Sequence, residues 1–481
     1  MQPFDPTAFV LITALIGGVI LIASAVSGFL ERTSVPHVAV FLVLGLLLGP
    51  HGLGLVDFGM RSGALGAVAT LSLVLVLFTD ALGINPKALR QNLGVAAVLL
   101  GPGTVLTAAI IGLGATFLLG VGPAQAAVLG AALASTDPVM MRGLLRRPEV
   151  QPATRTALGI ESGLNDAVLL PIVVIAMVFM REGTPSFGHV SRMVLDVLVL
   201  GPAAGVATGY LGVKLLEAVR GRYGIRRDYE SMYVLGVAFT AFAIAESLHA
   251  SGFMAAFAAG LTIDLVDVEL CDCFHDYGEA TSTMFLLFSF VLLGLSIIWT
   301  GVTIMSPKIL AFALLALFAR SLVLLIALPR RAVDAQSRRL VVWFGPRGLS
   351  SLLLVLLPIF AGIEGSETLL APVATVVLLS VVVHGGMLNL VVRKLEPVRI
   401  GVTESQDTPL VADSELITLD ELRRLDAGGI PYRLLDVRSV GSYASSDLTA
   451  RGSLRIDPER PVESAAERAL PKHDWLVAYC A

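Results

Sequence analysis

Residues 155–180 read RTALGIESGLNDAVLLPIVVIAMVFM, a run apolar enough to cross a bilayer except for a polar cluster in its first half. A membrane helix needs roughly 20 mostly apolar residues. At about 100° per residue, four polar side chains fall within an arc of roughly 140° on one helical face, namely Glu161, Ser162, Asn165 and Asp166. Polar groups are costly at membrane depth and are expected where they serve a function. The run therefore predicts a membrane helix with a polar cavity along one side.

The 481-residue chain is 55% hydrophobic and only 15% charged, and its mean hydropathy is +0.81. That much apolar surface cannot fit inside one soluble core, so lipid is the expected solvent. The formal net charge of −4 argues against a nucleic-acid partner, which would require a clustered basic excess. The cysteines form no even set of spaced pairs, so we predict no structural disulfides among Cys271, Cys273 and Cys480.

Apolar runs bounded by charge, proline or glycine predict an all-α polytopic membrane domain over residues 1–399, with about thirteen transmembrane helices. The first run has no basic segment ahead of it and is longer than a signal-peptide core, so we expect it to stay as a membrane helix. The predicted spans are 7–30, 35–49, 62–83, 92–119, 123–143, 155–180, 191–216, 230–248, 250–263, 280–299, 305–328, 338–361 and 369–393.

Lysine and arginine are concentrated in the odd-numbered connecting loops, whereas the even-numbered loops carry only Arg61, Arg181, Arg192 and Lys308. In membrane proteins the cytoplasmic loops are the ones rich in basic residues. We therefore predict a multi-pass protein of the cell (inner) membrane, with its N-terminus outside and its C-terminus in the cytoplasm.

Two predicted spans contain a proline beside polar residues, in STDP at 135–138 of the fifth span and in GPRG at 345–348 of the twelfth. Proline has no amide proton, and its ring clashes with the carbonyl four residues earlier. Each helix should therefore open there and release carbonyl acceptors. Broken helices in both halves of a chain suggest repeated halves with a binding site between them at mid-membrane.

The charged residues within the predicted spans indicate which side chains pair with each other and which is left to bind an ion. A guanidinium at membrane depth needs a partner because an unpaired charge is costly. Arg347 is predicted to pair with Glu161, which leaves Asp166 as a carboxylate without a neutralising partner. A cation or a proton can satisfy that carboxylate, but not both together. Arg320 in the eleventh span also needs a partner, and Glu246 in the eighth is the candidate. The competing interpretation is that these groups only pin helices together.

Three motifs occur in order along the chain: ASTDPV at 134–139, ESGLNDAV at 161–168 and GPRGLSS at 345–351. Over residues 7–395 the sequence thereby resembles the monovalent cation/proton antiporter superfamily, specifically the Na⁺/H⁺ exchanger branch that includes the NhaP-like bacterial proteins. The resemblance implies a secondary transporter, not an enzyme, with no cofactor beyond the Na⁺, K⁺ and H⁺ it carries. It also implies thirteen helices as an inverted repeat, and a core domain that moves against the scaffold of a homodimer.

The same resemblance implies roles for single residues. Asp166 is implied as the ion-binding carboxylate with Asn165 beside it, and members with Asn-Asp here are generally electroneutral. Thr136 and Asp137 are implied at the helix crossing, and Ser162 is implied as an oxygen ligand. The ion pair between Glu161 and Arg347 is likewise implied by the family pattern.

Asp80 marks a departure from that pattern. Many relatives carry a glutamate-containing motif late in the third span, whereas this chain reads LFTDAL at 77–82. Asp80 either supplies a shorter carboxylate to the site or only caps its helix, and the sequence supports both equally. The preference among Na⁺, K⁺ and Li⁺ stays open accordingly.

After Arg399 the composition becomes that of a soluble protein, with a polar linker at 400–416 and an α/β segment at 417–481. We expect a helix at 419–425 and strands at 432–437 and 475–479. LLDVR at 434–438 and VAYC at 477–480 resemble part of a rhodanese domain, in which a loop of amides after the cysteine holds the transferred group. Only Ala481 follows Cys480, so we predict no sulfurtransferase activity. The alternative function is a membrane-anchored sulfurtransferase or redox sensor that uses Cys480.

Two further signals are weaker. His384, near the end of the last span, could sense pH, but a packed histidine with its hydrogen bonds satisfied is the favoured interpretation. Cys271, Cys273 and His275 lie close together in sequence. Structural zinc sites usually space their cysteines by two to four residues and need four ligands, so we predict no metal site.

Overall fold

The computed structural model forms two compact units, Met1–Val398 and Arg399–Ala481. In the first unit it describes residues 17–22, 25, 37–55, 63–84, 86–145, 150–223, 225, 227–266, 281, 284–285, 287–295, 299, 306–329 and 334–386. In the second unit it describes residues 419–429, 431–438, 449–450, 452–456, 464, 468 and 475–479.

The described part of the first unit is built from helices. In chain order they are α1 His37–Leu48, α2 Gly63–Leu82, α3 Pro86–Gln91, α4 Leu93–Val98, α5 Thr107–Gly114, α6 Pro123–Ala134, α7 Pro138–Leu145, α8 Pro152–Glu182, α9 Phe187–Leu195, α10 Gly201–Tyr223, α11 Arg227–Ser247, α12 Gly252–Val266, α13 Pro307–Ala327, α14 Ala335–Trp343, α15 Leu349–Phe360 and α16 Leu370–Ser380. A 3₁₀ turn, Ser366–Leu369, precedes α16, and π-helical segments continue four of the helices over Leu99–Leu106, Ala115–Leu119, Asp196–Leu200 and Val381–Gly385.

Six helical stretches in the described ranges are long and apolar enough to cross a membrane. They are Leu65–Leu82, Leu93–Leu119, Ala153–Glu182, Phe187–Tyr223, Pro307–Ala327 and Ser366–Gly385. Shorter apolar helices include α6, α12 and α15. The predicted all-α, multi-pass fold is thus confirmed. The count of thirteen spans stays a prediction, because the first and tenth predicted spans fall largely or partly outside the described residues.

Both predicted helix breaks are present. Helix α6 ends at Ala134, and α7 begins at Pro138. Proline is well tolerated as the first residue of a helix, where its missing N–H would have no helical partner, so the break lies before Pro138. Helix α14 ends at Trp343 and α15 begins at Leu349, which leaves residues 344–348 as the second break. Each short helix here is half of a broken membrane span.

Helices α10 and α12 pack closely along glycines spaced four residues apart. A Cβ on Gly201, Gly205 or Gly209 would lie 2.8, 2.1 or 2.9 Å from the nearest backbone oxygen, which belongs to Ser251, Ala255 or Ala259 respectively. Small residues let membrane helices approach backbone to backbone, where dispersion contacts stabilise the pair.

We expect Gly205→Leu to lower the thermal midpoint of the detergent-solubilised protein, because the side chain would push α10 off the Ala255 backbone. Overpacking of this kind typically costs about 1–3 kcal/mol. Gly236→Leu on α11 is the matched control, since a Cβ there would meet no atom within 4 Å. Equal losses of stability in the two variants would contradict this account of the α10–α12 contact.

The second unit contains α17, Leu419–Ala427, and a parallel sheet of order β2-β1-β3, in which β1 is Tyr432–Asp436, β2 is Leu454–Arg455 and β3 is Trp475–Tyr479. Buried Asp436 accepts bonds from Arg438 Nη2 at 2.7 Å and from the Tyr479 hydroxyl at 3.0 Å. The Arg438 hydrogen bonds hold the pKa of Asp436 well below its usual range.

The assignment of this second unit to a rhodanese-like domain stays a prediction. Cys480 and the linker 400–416 lie outside the described residues.

Candidate functional site

The two breaks cross, and Arg347 binds the end of the opposite helix. Its Nη1 donates to the carbonyls of Ala134 at 2.6 Å and Ser135 at 2.9 Å. These carbonyls end α6, where the partial charge of the helix is negative and the acceptors have no helical partner. The Arg347 side chain is fully buried, so its positive charge complements the C-terminal end of α6.

Asp137 places a negative charge at the N-terminal end of α15. Its Oδ2 accepts from the backbone N–H of Leu349 at 2.9 Å, and its own N–H donates to the Pro346 carbonyl at 2.9 Å. Leu349 begins α15, where unpaired N–H groups carry partial positive charge and favour a carboxylate. Each broken span therefore supplies a charged side chain that caps a helix end of the other span.

Gly348 makes this cap sterically feasible. A Cβ at Gly348 would lie 1.6 Å from Asp137 Oδ2 and 2.5 Å from Asp137 Cγ. No side-chain carbon fits at such distances, so glycine is required for the carboxylate to reach the start of α15. This observation gives a physical reason for the second glycine of GPRG.

Asp166 lies on α8 against the crossing and is 2% exposed. Its Oδ1 accepts from the Ser135 hydroxyl at 2.5 Å, and Ser350 on α15 is the second hydroxyl beside this carboxylate. Its Oδ2 is buried and has no hydrogen-bond partner among the described residues. Sequence reasoning did not select Ser135 or Ser350 as site residues. The available signal was that both hydroxyls belong to the two proline-broken motifs.

Asn165 has a similar half-satisfied side chain. Its Nδ2 donates to Thr136 Oγ1 at 2.7 Å, which fixes the amide orientation against the first break. Its Oδ1 is buried and accepts no bond within the ranges that the structure describes. Within the described part of the chain, two acceptor oxygens from consecutive residues, Asn165 Oδ1 and Asp166 Oδ2, are thus buried with no donor in hydrogen-bonding geometry. Such groups are rare in folded proteins and call for an explanation.

Ser162 and Asp80 lie at one contact of α8. Ser162, one turn before Asp166, is buried and its hydroxyl donates to the Gly159 carbonyl at 3.4 Å. A Cβ on the adjacent Gly163 would lie 3.4 Å from the Asp80 carbonyl, so the end of α2 packs against this turn. Asp80 therefore lies in the last turn of a helix that touches α8. Both roles considered for Asp80, a carboxylate that contributes to the ion site and a cap of its own helix, stay predictions.

The predicted ion pairs are wrong in their partners. Glu161 pairs with Arg320, whose Nε and Nη2 each donate to one carboxylate oxygen at 2.5 Å. Arg347, predicted to hold Glu161, binds the α6 carbonyls instead. Glu246, predicted to pair with Arg320, accepts from the backbone N–H of Gly252 at 2.9 Å. The physical reason is that helix-end carbonyls can serve as the partner of a buried cation, and residue charges do not reveal them.

Metal-binding clusters of three or more His, Cys, Asp or Glu side chains do not occur among the described residues. Cys271, Cys273 and His275 lie outside the ranges that the structure describes.

With this geometry in place, the comparisons with known proteins identify the class. The family model described as "Sodium/hydrogen exchanger, transmembrane" matches residues 17–394. The chain belongs to this family. It is therefore a multi-pass membrane transporter of the cation/proton antiporter class and not an enzyme, as the three motifs predicted.

Relatives support the placement in the exchanger family. The chain is 27% identical over 416 residues to the K(+)/H(+) antiporter NhaP of Alkalimonas amylolytica, covering 84% of this chain and 71% of that protein. It is 27% identical over 391 residues to NhaP2 of Shewanella baltica, named a K(+)/H(+) antiporter, covering 80% and 66%. It is 24% identical over 459 residues to the Na(+)/H(+) antiporter NhaS2 of Synechocystis, covering 92% and 81%.

A solved structure supports the fold. The sodium proton antiporter MjNhaP1 of Methanocaldococcus jannaschii superimposes with a TM-score of 0.67 at 20% identity, and the match covers 81% of this chain and 99% of that one. The antiporter fold is confirmed on this basis. No such support attaches to the alternative of a sulfurtransferase that uses Cys480.

Proposed function

We propose that this exchanger swaps one monovalent cation, Na⁺ or K⁺ with Li⁺ as a third candidate, for one proton, and that Asp166 binds them in turn. The observation that carries the proposal is the pair of buried acceptor oxygens, Asp166 Oδ2 and Asn165 Oδ1, that have no donor within the described residues. Hard cations bind through carboxylate and carbonyl oxygens. A proton on Asp166 would satisfy the same carboxylate, so the two ligands compete for one group.

The charge balance around the crossing supports one-for-one exchange. Among the described ionisable residues there, those at most 3% exposed carry three carboxylates and two guanidinium groups, namely Asp137, Glu161, Asp166, Arg320 and Arg347. One negative charge is left over when all are ionised. Burying net charge is costly, and a single monovalent cation or a single proton removes that cost. Both loaded forms are then neutral, which favours an electroneutral cycle.

The neighbouring residues have distinct proposed roles. Thr136 orients the Asn165 amide, so that Oδ1 rather than Nδ2 faces the ion. Asp137 serves α15 through the Leu349 amide and supplies negative charge near the site without binding the cation directly. Ser162 and Asp80 are proposed as additional oxygen groups, from the turn of α8 that α2 contacts.

A route to the site is supported by a cavity of about 780 Å³ whose lining includes Val174 and Met177 of α8 and Leu357 of α15. These residues lie on the same helices as Asp166 and Ser350. Val174 is eight residues along α8 from Asp166, or about 12 Å at the helical rise of 1.5 Å per residue. The cavity therefore lies on the side of Asp166 nearer to the Glu182 end of α8.

Exposed apolar surface supports a proposal about assembly. Helix α10 and the segment before it expose Leu198, Val199, Leu211 and Leu215. In a bilayer such a face contacts lipid or a second copy of the chain, and we propose a homodimer in the cell (inner) membrane. The N-terminus is proposed to lie outside and the C-terminus in the cytoplasm, from the distribution of basic loops.

Proteoliposomes with an imposed pH gradient and a trapped pH-sensitive dye test the proposal. We expect external Na⁺, K⁺ or Li⁺, added singly, to dissipate the gradient in at least one case. Clamping the membrane potential at zero should leave the initial rate unchanged if exchange is one for one. Loss of the gradient with none of the three cations would refute antiport, and a rate that depends on the potential would refute the stoichiometry alone.

A further inference from the structure

His384 is a buried histidine that the exchange mechanism above does not use. It lies in the π-helical segment Val381–Gly385, which follows α16, and is 5% exposed. Single π-turns inside helices are rare and are frequent at functional sites. The wider turn directly follows Ser380, whose hydroxyl oxygen accepts from the backbone N–H of Arg347 in the second break.

A hydrogen-bonded chain connects His384 to that break. The backbone N–H of Arg347 donates to Ser380 Oγ at 2.7 Å, and Ser380 Oγ lies 3.1 Å from His384 Nδ1. An amide N–H can only donate, so the serine oxygen accepts from Arg347. The hydroxyl hydrogen of Ser380 is then available to His384, and Nδ1 accepts it in the tautomer that the proposal below requires. In that tautomer the proton of the neutral imidazole is on Nε2.

The ring of His384 also contacts the start of the same break. Its centroid lies 6.0 Å from that of Phe344 in an edge-to-face arrangement and 6.3 Å from that of Trp343. Trp343 ends α14, and Arg347 lies near the far end of the break. His384 therefore contacts one end of the 344–348 segment by packing and reaches the other through Ser380.

Two hydrogen bonds connect Arg347 to the proposed ion site through Ser135. Its guanidinium binds the Ser135 carbonyl, and the hydroxyl of the same serine donates to Asp166. A shift of the Arg347 backbone is thus transmitted through Ser135 to the carboxylate. Displacements of about 1 Å are enough to weaken a preorganised site strongly.

We propose that His384 is a positioning residue: through Ser380 it fixes the backbone of Arg347 and so sets the geometry of Ser135 and Asp166 for cation binding. The proposal rests on the proposed function of Asp166. In its neutral form His384 adds no charge to the balance around the crossing. It acts as a hydrogen-bond acceptor and not as a titrating group.

Transport kinetics of four variants test the proposal. We expect Ser380→Ala and His384→Leu each to raise the KM for the cation about tenfold, with kcat within about twofold of wild type, as for a loss of binding geometry. His384→Asn places an amide oxygen near the position of Nδ1 and should restore KM to within about twofold. Ser380→Ala combined with His384→Leu should match either single variant, because both interrupt one chain. His51→Asn, on an exposed turn, is the matched control.

Three results would overturn the proposal: an unchanged KM in Ser380→Ala, additive effects in the double variant, or a shifted pH profile of exchange in His384→Asn. The last would make His384 a titrating group. A measurement independent of transport uses ¹⁵N-labelled histidine in the purified protein. We expect His384 to show an unprotonated Nδ1 whose chemical shift moves in Ser380→Ala. A protonated Nδ1 at neutral pH would refute the positioning role, even if no cation proved to be transported.

Discussion

Asp166→Asn should abolish cation-dependent dissipation of a pH gradient, with a loss of at least about 100-fold in initial rate. The amide cannot take up or release a proton in the working pH range, so it cannot alternate between two charges. An amide also lacks the negative charge that offsets the desolvation of a cation. The measurement is dye dequenching in proteoliposomes at matched protein density, with the cation that drives wild-type exchange.

The same variant should fold. Removing the uncompensated negative charge leaves the buried groups around the crossing balanced, so the thermal midpoint should equal or exceed that of wild type. Asp334→Asn is the matched control, because Asp334 caps α14 through the amides of Gln336 and Ser337, and asparagine caps helices as well as aspartate does. Exchange at the wild-type rate in Asp166→Asn would remove this carboxylate from the mechanism.

Glu161→Gln and Arg320→Gln should each cost about 3–5 kcal/mol of stability, which is typical when one member of a buried ion pair is removed. Both residues are at most 3% exposed, and their side chains are joined by two hydrogen bonds. The remaining charge would be left in the membrane core without its partner. Thermal midpoints and the yield of monodisperse protein in detergent measure the loss.

The combination Glu161→Leu with Arg320→Met should be more stable than either single substitution, since replacing both partners by apolar groups is often close to neutral. Lys214→Ala is the control for a pair at the surface. Lys214 and Glu217 are 2.6 Å apart but substantially exposed, and such pairs contribute about 0–1 kcal/mol. A double variant less stable than both single variants would contradict the pairing of Glu161 with Arg320.

The membrane fold and the location of the site were predictable from local signals. Apolar runs of sufficient length predict spans, and prolines 138 and 346 predict the breaks, because both signals act within one helix. The three motifs then place Asp166, Asn165 and Thr136 together, and the structure shows Asn165 bonded to Thr136. Family membership confirms the fold, and the role of Asp166 stays a proposal.

The charge partners were not predictable by the same reasoning. The predicted pairing of Arg347 with Glu161 considered only charged side chains as partners. In the structure the Arg347 guanidinium donates instead to the backbone carbonyls of Ala134 and Ser135. Which carbonyls lie within reach depends on how two breaks, roughly two hundred residues apart in sequence, meet in space. The role of Gly348 has the same origin, since only the three-dimensional contact with Asp137 shows why a methyl group cannot fit.

The exchange of capping charges between the two breaks has a mechanical consequence. Sliding α6 away from α15 would separate Arg347 from its carbonyls and Asp137 from its amide in one step, so two strong polar contacts in a medium without water would be lost together. The side chains of Arg347 and Asp137 thus hold the two broken spans together at the crossing. We therefore expect the half-helices to move together as a rigid unit in the proposed exchange cycle, with any sliding confined to the outer surfaces of that unit.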